Sequence, residues 1–390
     1  MSERPLLMIP GPIEVSPRVL NAMGGPPPGH VAANVIEAFG RALVAMRKVW
    51  LAGDDAQPFV VSGSGTTAME MAASNLLDEG DRVLVVNIGY FGERIAEMAR
   101  RRGAVIDEVS TPVGATPDLD AVEAKLKDGD YKVVFCTHVD TSTGVRTDVE
   151  RVARAAQASD TLSVVDGVCS VAGERLEMQA WGADVVLTGS QKAIGLPPGL
   201  GMLVASPRAL RAREALKQPP ALVLDFLSWL PIMKAYEEGR PSYFATPATN
   251  LLLALDVGLT EILEDGMPLR FKLHATRAAA FRVAFDVLGL SLVAEDSAIA
   301  ANTLSAVRLP QKVDAAAFIG GVKQRGVIIA GGLHPSLKGH SFRVGHMGYV
   351  LTRPAELART IRAIGESLNE QGHEAPVTDA IEALSSRCRA

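Results

Sequence analysis

Six short runs in the first half of the chain are apolar at nearly every position: Phe59–Ser62, Arg82–Asn87, Lys132–Thr137, Leu162–Asp166, Asp184–Thr188 and Gly201–Ala205. A strand without a polar face has no side to give to water, so both of its faces must be covered. Helix-patterned stretches lie between them, at Ala68–Leu77, Phe91–Arg102 and about Asp148–Ala158. Buried strands alternating with helices predict an α/β fold with a mainly parallel sheet covered by helices. In such sheets ligands bind at the carboxyl ends of the strands.

Past about Asp256 the pattern changes. Long helical stretches run from Ala248 to Glu264 and from Leu269 to Leu288. Short strands follow around Leu304–Arg308, Gly326–Ile329 and Ser341–Val344, then a helix from Pro354 to Asn369. The division expected is an N-terminal segment 1–20, a large domain 21–255, a smaller α+β domain 256–370 and a tail 371–390 with one short helix. Aromatics are 5% of the chain, so Ala, Val, Leu and Ile must fill the core. The net charge of −5 supplies no cationic field for nucleic acid or an anionic membrane. Three cysteines without a CxxC argue against a disulfide framework and a zinc ribbon, and no metal is expected. No apolar run approaches the ~20 residues of a membrane span. The N-terminal MSERPLLMIPGP, with its very short apolar stretch ending in prolines, is not expected to be a signal peptide. A soluble, cytoplasmic protein is expected.

Chemistry-bearing residues cluster where the strands end. Ser62-Gly63-Ser64-Gly65-Thr66-Thr67 turns a strand into a helix. Glycines permit the turn, and the free N–H groups of the helix start favour an anion; the plainer reading is a well-capped helix. The same residues fit GxGxxA, but the next strand ends in Asn87-Ile88-Gly89, without the acid a nicotinamide site requires. Asp166 ends an apolar strand, where a carboxylate needs either a cap to make or a cationic partner. Lys192 follows the next strand, 26 residues on, between Gly189-Ser190 and the rigid Pro197-Pro198-Gly199. One strand–helix–strand step places both in one cleft. An anion cradle, a buried Asp and a strand-end Lys together are what pyridoxal 5'-phosphate requires.

Six motifs stand in one order: SGSGT (Ser62–Thr66), THVDTSTG (Thr137–Gly144), VVDGVCS (Val164–Ser170), TGSQKAIGLPPG (Thr188–Gly199), YFATP (Tyr243–Pro247) and FRVGHMG (Phe342–Gly348), preceded by PGP at Pro10–Pro12. With them the chain resembles the class V, fold-type I pyridoxal-phosphate-dependent aminotransferases, most closely the alanine–glyoxylate and serine–glyoxylate (serine–pyruvate) group. The resemblance implies that Lys192 binds the cofactor covalently and shuttles the proton, and that Asp166 pairs with the pyridine nitrogen. It implies that Ser64, Gly65 and Thr66 hold the phosphate, with Gln191 beside it. Tyr243 and Thr246 would reach into the phosphate site of a second subunit, making the active unit a homodimer. Thr141 would approach the cofactor and the substrate carboxylate, which Arg343 would grip. The implied activity moves an amino group from alanine or serine to glyoxylate or pyruvate by a ping-pong mechanism.

The family commonly places an aromatic residue, often Trp, where this chain has Phe91; Phe can stack on the cofactor ring, though less extensively. Cysteine desulfurase relatives carry a His there and a Cys on a mobile loop, which Phe91 and the placing of Cys136, Cys169 and Cys388 argue against. His138 reads as structural, and His30 lies in a loop the family brings near the substrate. Pyridoxamine–pyruvate or ureidoglycine–glyoxylate transfer and a lyase are alternatives. A ligand sensor ranks last, because no basic stripe or helix-turn-helix accompanies the site.

Overall fold

The computed structural model describes residues 4–389. Its main sheet has seven strands: β1 (Gln57–Ser62), β2 (Arg82–Asn87), β3 (Val105–Ser110), β4 (Val133–Thr137), β5 (Leu162–Asp166), β6 (Val185–Gly189) and β7 (Leu200–Ala205). They lie in the order β1-β7-β6-β5-β4-β2-β3. β7 is antiparallel to both neighbours, and the other pairings are parallel. The sheet is therefore mixed. The loop Ser190–Gly199 is too short to carry a crossover helix, so β7 must return antiparallel.

Helices α1 (Ala33–Val49), α2 (Gly65–Leu76), α3 (Tyr90–Arg101) and α4 (Val149–Ala158) cover the sheet. Val133, Val134, Val164, Val185 and Val186 between the layers are buried, as strands covered on both faces require. β3 was not expected from the sequence. It is an edge strand, and Asp107 and Glu108 interrupt its apolar pattern while pairing with Arg82 and Arg100. Register aligns the strand ends: Thr137 lies opposite Asp166, Asp166 opposite Leu187, Gly189 opposite Gly201 and Ser62 opposite Leu200.

α5 (Thr249–Asp265) buries Leu252, Leu255, Leu259 and Ile262 in the core of the first body, and a second body gathers α6 (Met267–Val287), a small antiparallel sheet of β8 (Leu304–Arg308), β9 (Ala330–Gly331) and β10 (Ser341–Gly345), then α7 (Pro354–Asn369) and α8 (Val377–Arg389). α5 lies against α1 of the first body. α8 packs on α6 and α7, burying Ala380 and Leu384 in a separate core around Phe281, Phe285 and Phe342. Leu6–Leu7 pairs with Val327–Ile328, so the N-terminal segment joins this second body. No helix among the described residues is long and apolar enough to cross a membrane.

Phe342 is fully buried next to Arg343. Phe342→Ala is expected to cost about 3–5 kcal/mol through lost burial and a residual cavity. Urea unfolding curves of the two proteins measure this, and a loss below about 1 kcal/mol would contradict it.

Candidate active site

At the carboxyl ends of β1, β4, β5 and β6 lies a cavity of about 170 Å³, lined by Ser64, Gly65, Thr66, Phe91, Arg94, Thr141, Asp166, Val168, Cys169, Gln191 and Lys192, among others. Eight of the residues singled out in the sequence therefore meet in one place. The fold explains the convergence. β5 delivers Asp166, β6 leads into the Lys192 loop, and β1 turns directly into α2.

α2 begins at Gly65, so the first backbone N–H groups of the helix have no partner within it. Ser64, in extended conformation, donates its own N–H to Thr67 Oγ1 at 3.1 Å, which shapes the turn. Gly65 is required by close approach, since a β-carbon there would stand 2.6 Å from Val168 Cγ2. Gln191 Oε1 is buried without a hydrogen-bond partner.

Asp166 is 3% exposed, and its Oδ1 accepts the Val168 N–H at 2.9 Å. Burial pushes its carboxyl up to about 7. The Asp140 carboxyl adds to this, while the Val168 N–H, Lys192 and Arg94 oppose it. Lys192 Nζ donates to the Pro10 carbonyl. Burial holds its ammonium below the usual lysine range, Arg343 adds to the lowering, and Cys169 and Asp166 oppose it. Gly11 lets the Pro10–Pro12 loop lie on this side chain. Its φ is +104°, and a β-carbon would come 2.7 Å from Lys192 Cδ.

Phe91 sits in the first turn of α3 and forms a wall of the cavity. Its backbone N–H donates to Asp140 Oδ2 at 2.9 Å, while Asp140 Oδ1 accepts from Ser142 N and Oγ at 2.8 and 2.6 Å. Asp140 thus fixes the start of α3 against the Thr141 loop. Asp140 was missed in the sequence, since it lies in a short hairpin, Val139–Asp140 against Val145–Arg146, and so carries no strand-end or helix-start signal. Arg94 was also missed. It lies one turn past Phe91, stands over the Phe91 and Tyr90 rings at 5.0 Å, and donates to Thr66 Oγ1 at 3.1 Å. Its i+3 spacing from Phe91 in Tyr90-Phe91-Gly92-Glu93-Arg94 was the available signal.

Arg343 does not line the cavity itself. It lies beside the Thr141 loop, its Nε donating to the Gly331 carbonyl at 2.9 Å and its Nη1 to the Thr141 carbonyl at 3.3 Å. Its Nη2 makes no hydrogen bond among the described residues. Tyr243 and Thr246 lie outside the cavity. Tyr243 is 60% exposed, and its hydroxyl is 3.4 Å from Thr246 Oγ1. His30 is near them, its ring 4.8 Å from that of Tyr243. His138, the residue after β4, is buried with no partner for Nδ1 and borders a different cavity with Arg146 and Trp181, and burial lowers its imidazole to about 3.

The residues fit pyridoxal phosphate on their own chemistry. Free helix N–H groups and hydroxyls gather at one end of the cavity, a buried carboxyl faces it from β5, and an amine of lowered basicity stands between. Asp166 provides a test. An acid whose folded pKa is raised favours folding below its unfolded value, and that contribution is lost as pH rises toward the folded value. Between about pH 4 and 7, cofactor-free wild type should lose stability through Asp166, and Asp166→Asn should not. Thermal unfolding of both proteins at about pH 5 and 8 measures the difference. Identical pH dependence in the two would contradict the burial argument.

A family model described as aminotransferase class-V matches residues 29–283. The chain is 38% identical to alanine–glyoxylate aminotransferase 1 of Saccharomyces cerevisiae, over 88% of this chain and 91% of that one. It is 30% identical to serine–glyoxylate aminotransferase of Arabidopsis thaliana, over 97% and 94%. The crystal structure of pyridoxamine–pyruvate aminotransferase from Mesorhizobium loti superposes with a TM-score of 0.93 at 26% identity, covering 100% of this chain and 98% of that one. With a family model spanning most of the first body and relatives matching nearly end to end, the chain belongs to the class-V aminotransferases.

Proposed function

We propose that this chain, a pyridoxal-phosphate-dependent aminotransferase, moves the amino group of alanine or serine to glyoxylate or pyruvate by a ping-pong mechanism. The observation that carries the reading is a Lys amine and a buried Asp carboxyl facing one cavity with an open helix start, backed by an arginine. The names of the yeast and Arabidopsis relatives support glyoxylate as acceptor and alanine or serine as donor.

When bound, the cofactor supplies an electron sink for the pair left as the Cα–H bond of the substrate breaks. Ser64, Gly65, Thr66 and Gln191 hold its phosphate, with the Arg94 cation beside Thr66. Asp166 holds its ring nitrogen protonated; a cation at that point draws the carboxyl back to its ionised form. Phe91, on the cavity wall, would lie against the ring. Lys192 is the covalent attachment point and the base at the substrate's Cα. Its lowered basicity leaves a larger share of neutral amine near neutral pH. Arg343 binds the α-carboxylate of donor and acceptor in turn, beside Thr141. A planar fork suits a carboxylate.

The active unit in this reading is a homodimer, with Tyr243 and Thr246 completing the partner's phosphate site. Two neighbouring hydroxyls on an exposed segment outside their own chain's cavity support it. A cytoplasmic location belongs to the same reading and rests on three free cysteines, two of them buried.

A panel of amino donors including pyridoxamine, assayed against glyoxylate and pyruvate, tests the substrates. Alanine or serine should turn over, and exclusive use of pyridoxamine would overturn the donor assignment. With an active pair, Arg343→Ala should raise KM for both substrates about 30- to 1000-fold, the worth of one bidentate charged contact. The cofactor absorbance should stay intact. Unchanged KM for both substrates would remove Arg343 from the site. Mixing tests the shared site: inactive Lys192→Ala subunits and inactive Tyr243→Phe/Thr246→Ala subunits should regain activity when co-refolded. Their mixed dimers hold one site with neither defect. No recovery on mixing, or a fully active monomer in sedimentation, would exclude the dimeric site.

A further inference from the structure

α6 crosses behind the two loops that carry Asp166 and Lys192. Arg270, near its start, is 9% exposed and reaches both. Its Nε donates to the Ala172 carbonyl at 3.0 Å, and its Nη2 donates to the Ala193 carbonyl at 2.6 Å. Ala193 is the residue after Lys192, and Ala172 lies in the loop that follows Asp166. Ala172 has φ of +63°, the left-handed region that a β-carbon disfavours, and the Arg270 contact adds to the loop's own backbone hydrogen bonds in holding that conformation.

His274 lies one turn further along α6 and is fully buried. Its Nε2 accepts the Gly348 N–H at 3.2 Å. The proton of the neutral ring is therefore on Nδ1, which donates to the Arg270 carbonyl at 2.8 Å. Gly348 begins the turn after β10, five residues past Arg343. Gly173 sits where these parts meet; a β-carbon there would be 2.4 Å from Thr303 Cγ2, 3.2 Å from Ala193 Cβ and 3.3 Å from His274 Cδ2. Three chain segments are thus closed on one face of one helix.

We propose that Arg270 is a positioning residue for this active site: its guanidinium fork sets the spacing between the Asp166 and Lys192 loops, and His274 refers that spacing to the turn behind Arg343. The inference rests on Lys192 being the cofactor lysine. The job needs a fork. Two carbonyls from different loops are held by separate nitrogens of one rigid plane, whereas an ammonium on a flexible stem has no such preset spacing. Arg270 also lines a cavity of about 360 Å³ open to solvent, with Ile194, Gly195, Glu261 and Tyr349. A free guanidinium ion can therefore enter when the side chain is shortened.

The test compares Arg270→Ala and Arg270→Lys with the wild-type chain. In cofactor-free protein, amide hydrogen exchange of peptides covering 167–174 and 190–196 should speed up about tenfold or more in Arg270→Ala, with α7 and the β2–β4 region unchanged. In loaded enzyme, kcat should fall about 10- to 100-fold, as for a misplaced reacting group, while KM changes less than about threefold. Millimolar guanidinium should restore at least a fifth of the lost kcat in Arg270→Ala, on the order expected for a refilled contact, whereas ammonium should not. Arg270→Lys should resemble Arg270→Ala without the rescue. Unchanged exchange in both loops, faster exchange throughout the chain, or loss of kcat without guanidinium rescue would each overturn the proposal. If Arg270→Ala does not fold, exchange in Arg270→Lys decides alone, faster in both loops supporting the proposal and unchanged opposing it. Wild-type protein that never acquires cofactor absorbance would sink the functional reading, and the exchange result would still show whether Arg270 fixes the loops.

Discussion

Asp166 and Lys192 are both withdrawn from bulk water at neighbouring strand ends, where an unpaired charge costs several kcal/mol. Each responds in its own direction, with the carboxyl rising to about 7 and the ammonium falling below the usual lysine range. Such a site favours a ligand that brings its own charges in the right order. A protonated ring nitrogen beside Asp166 would restore the carboxylate. A phosphate at the start of α2 would meet the free N–H groups and the Arg94 cation. Close backbone approaches keep the cavity small, with Gly65 against Val168 and Gly11 against Lys192.

This arrangement needs both bodies of the fold. The N-terminal strand Leu6–Leu7 belongs to the second body, yet the Pro10 carbonyl a few residues later accepts from Lys192 in the first. The Gly345 N–H, at the end of the strand bearing Arg343, donates to the Met8 carbonyl at 2.8 Å. Arg343 itself donates to the Thr141 carbonyl of the first body. The positions of the amine, the loop over the cavity and the guanidinium are therefore linked through one short stretch of chain, and the contacts of α6 behind the site act on the same geometry.

The strands of the main sheet were legible because burial on both faces leaves a continuous apolar run. Arg82–Asn87 and Leu162–Asp166 have the bounds expected of them, as does Leu304–Arg308 in the small sheet. β3 was hidden for the converse reason. As an edge strand it keeps Asp107 and Glu108 in contact with surface arginines, and its pattern resembles a loop. The antiparallel return of β7 follows from loop length, which an apolar run does not report. Among site residues, Lys192, Asp166 and the Ser64–Thr66 turn carried local signals of strand end and helix start. Asp140, Arg94 and Arg270 carried none of comparable strength, because their partners lie on other segments.

What the amino-acid sequence determined by itself was local and periodic: which runs must be buried, where strands turn into helices, and which ionisable residues stand at strand ends. Those features depend on neighbours within a few positions, so they are written in consecutive residues. Only the tertiary structure decided that Lys192 meets Pro10, that Arg343 meets the Thr141 carbonyl, and that Arg270 and His274 close three segments together. Those contacts join residues 74 to 202 positions apart. Their geometry is set by how the two bodies pack, and hydrophobic patterning prescribes burial without prescribing which buried groups will touch.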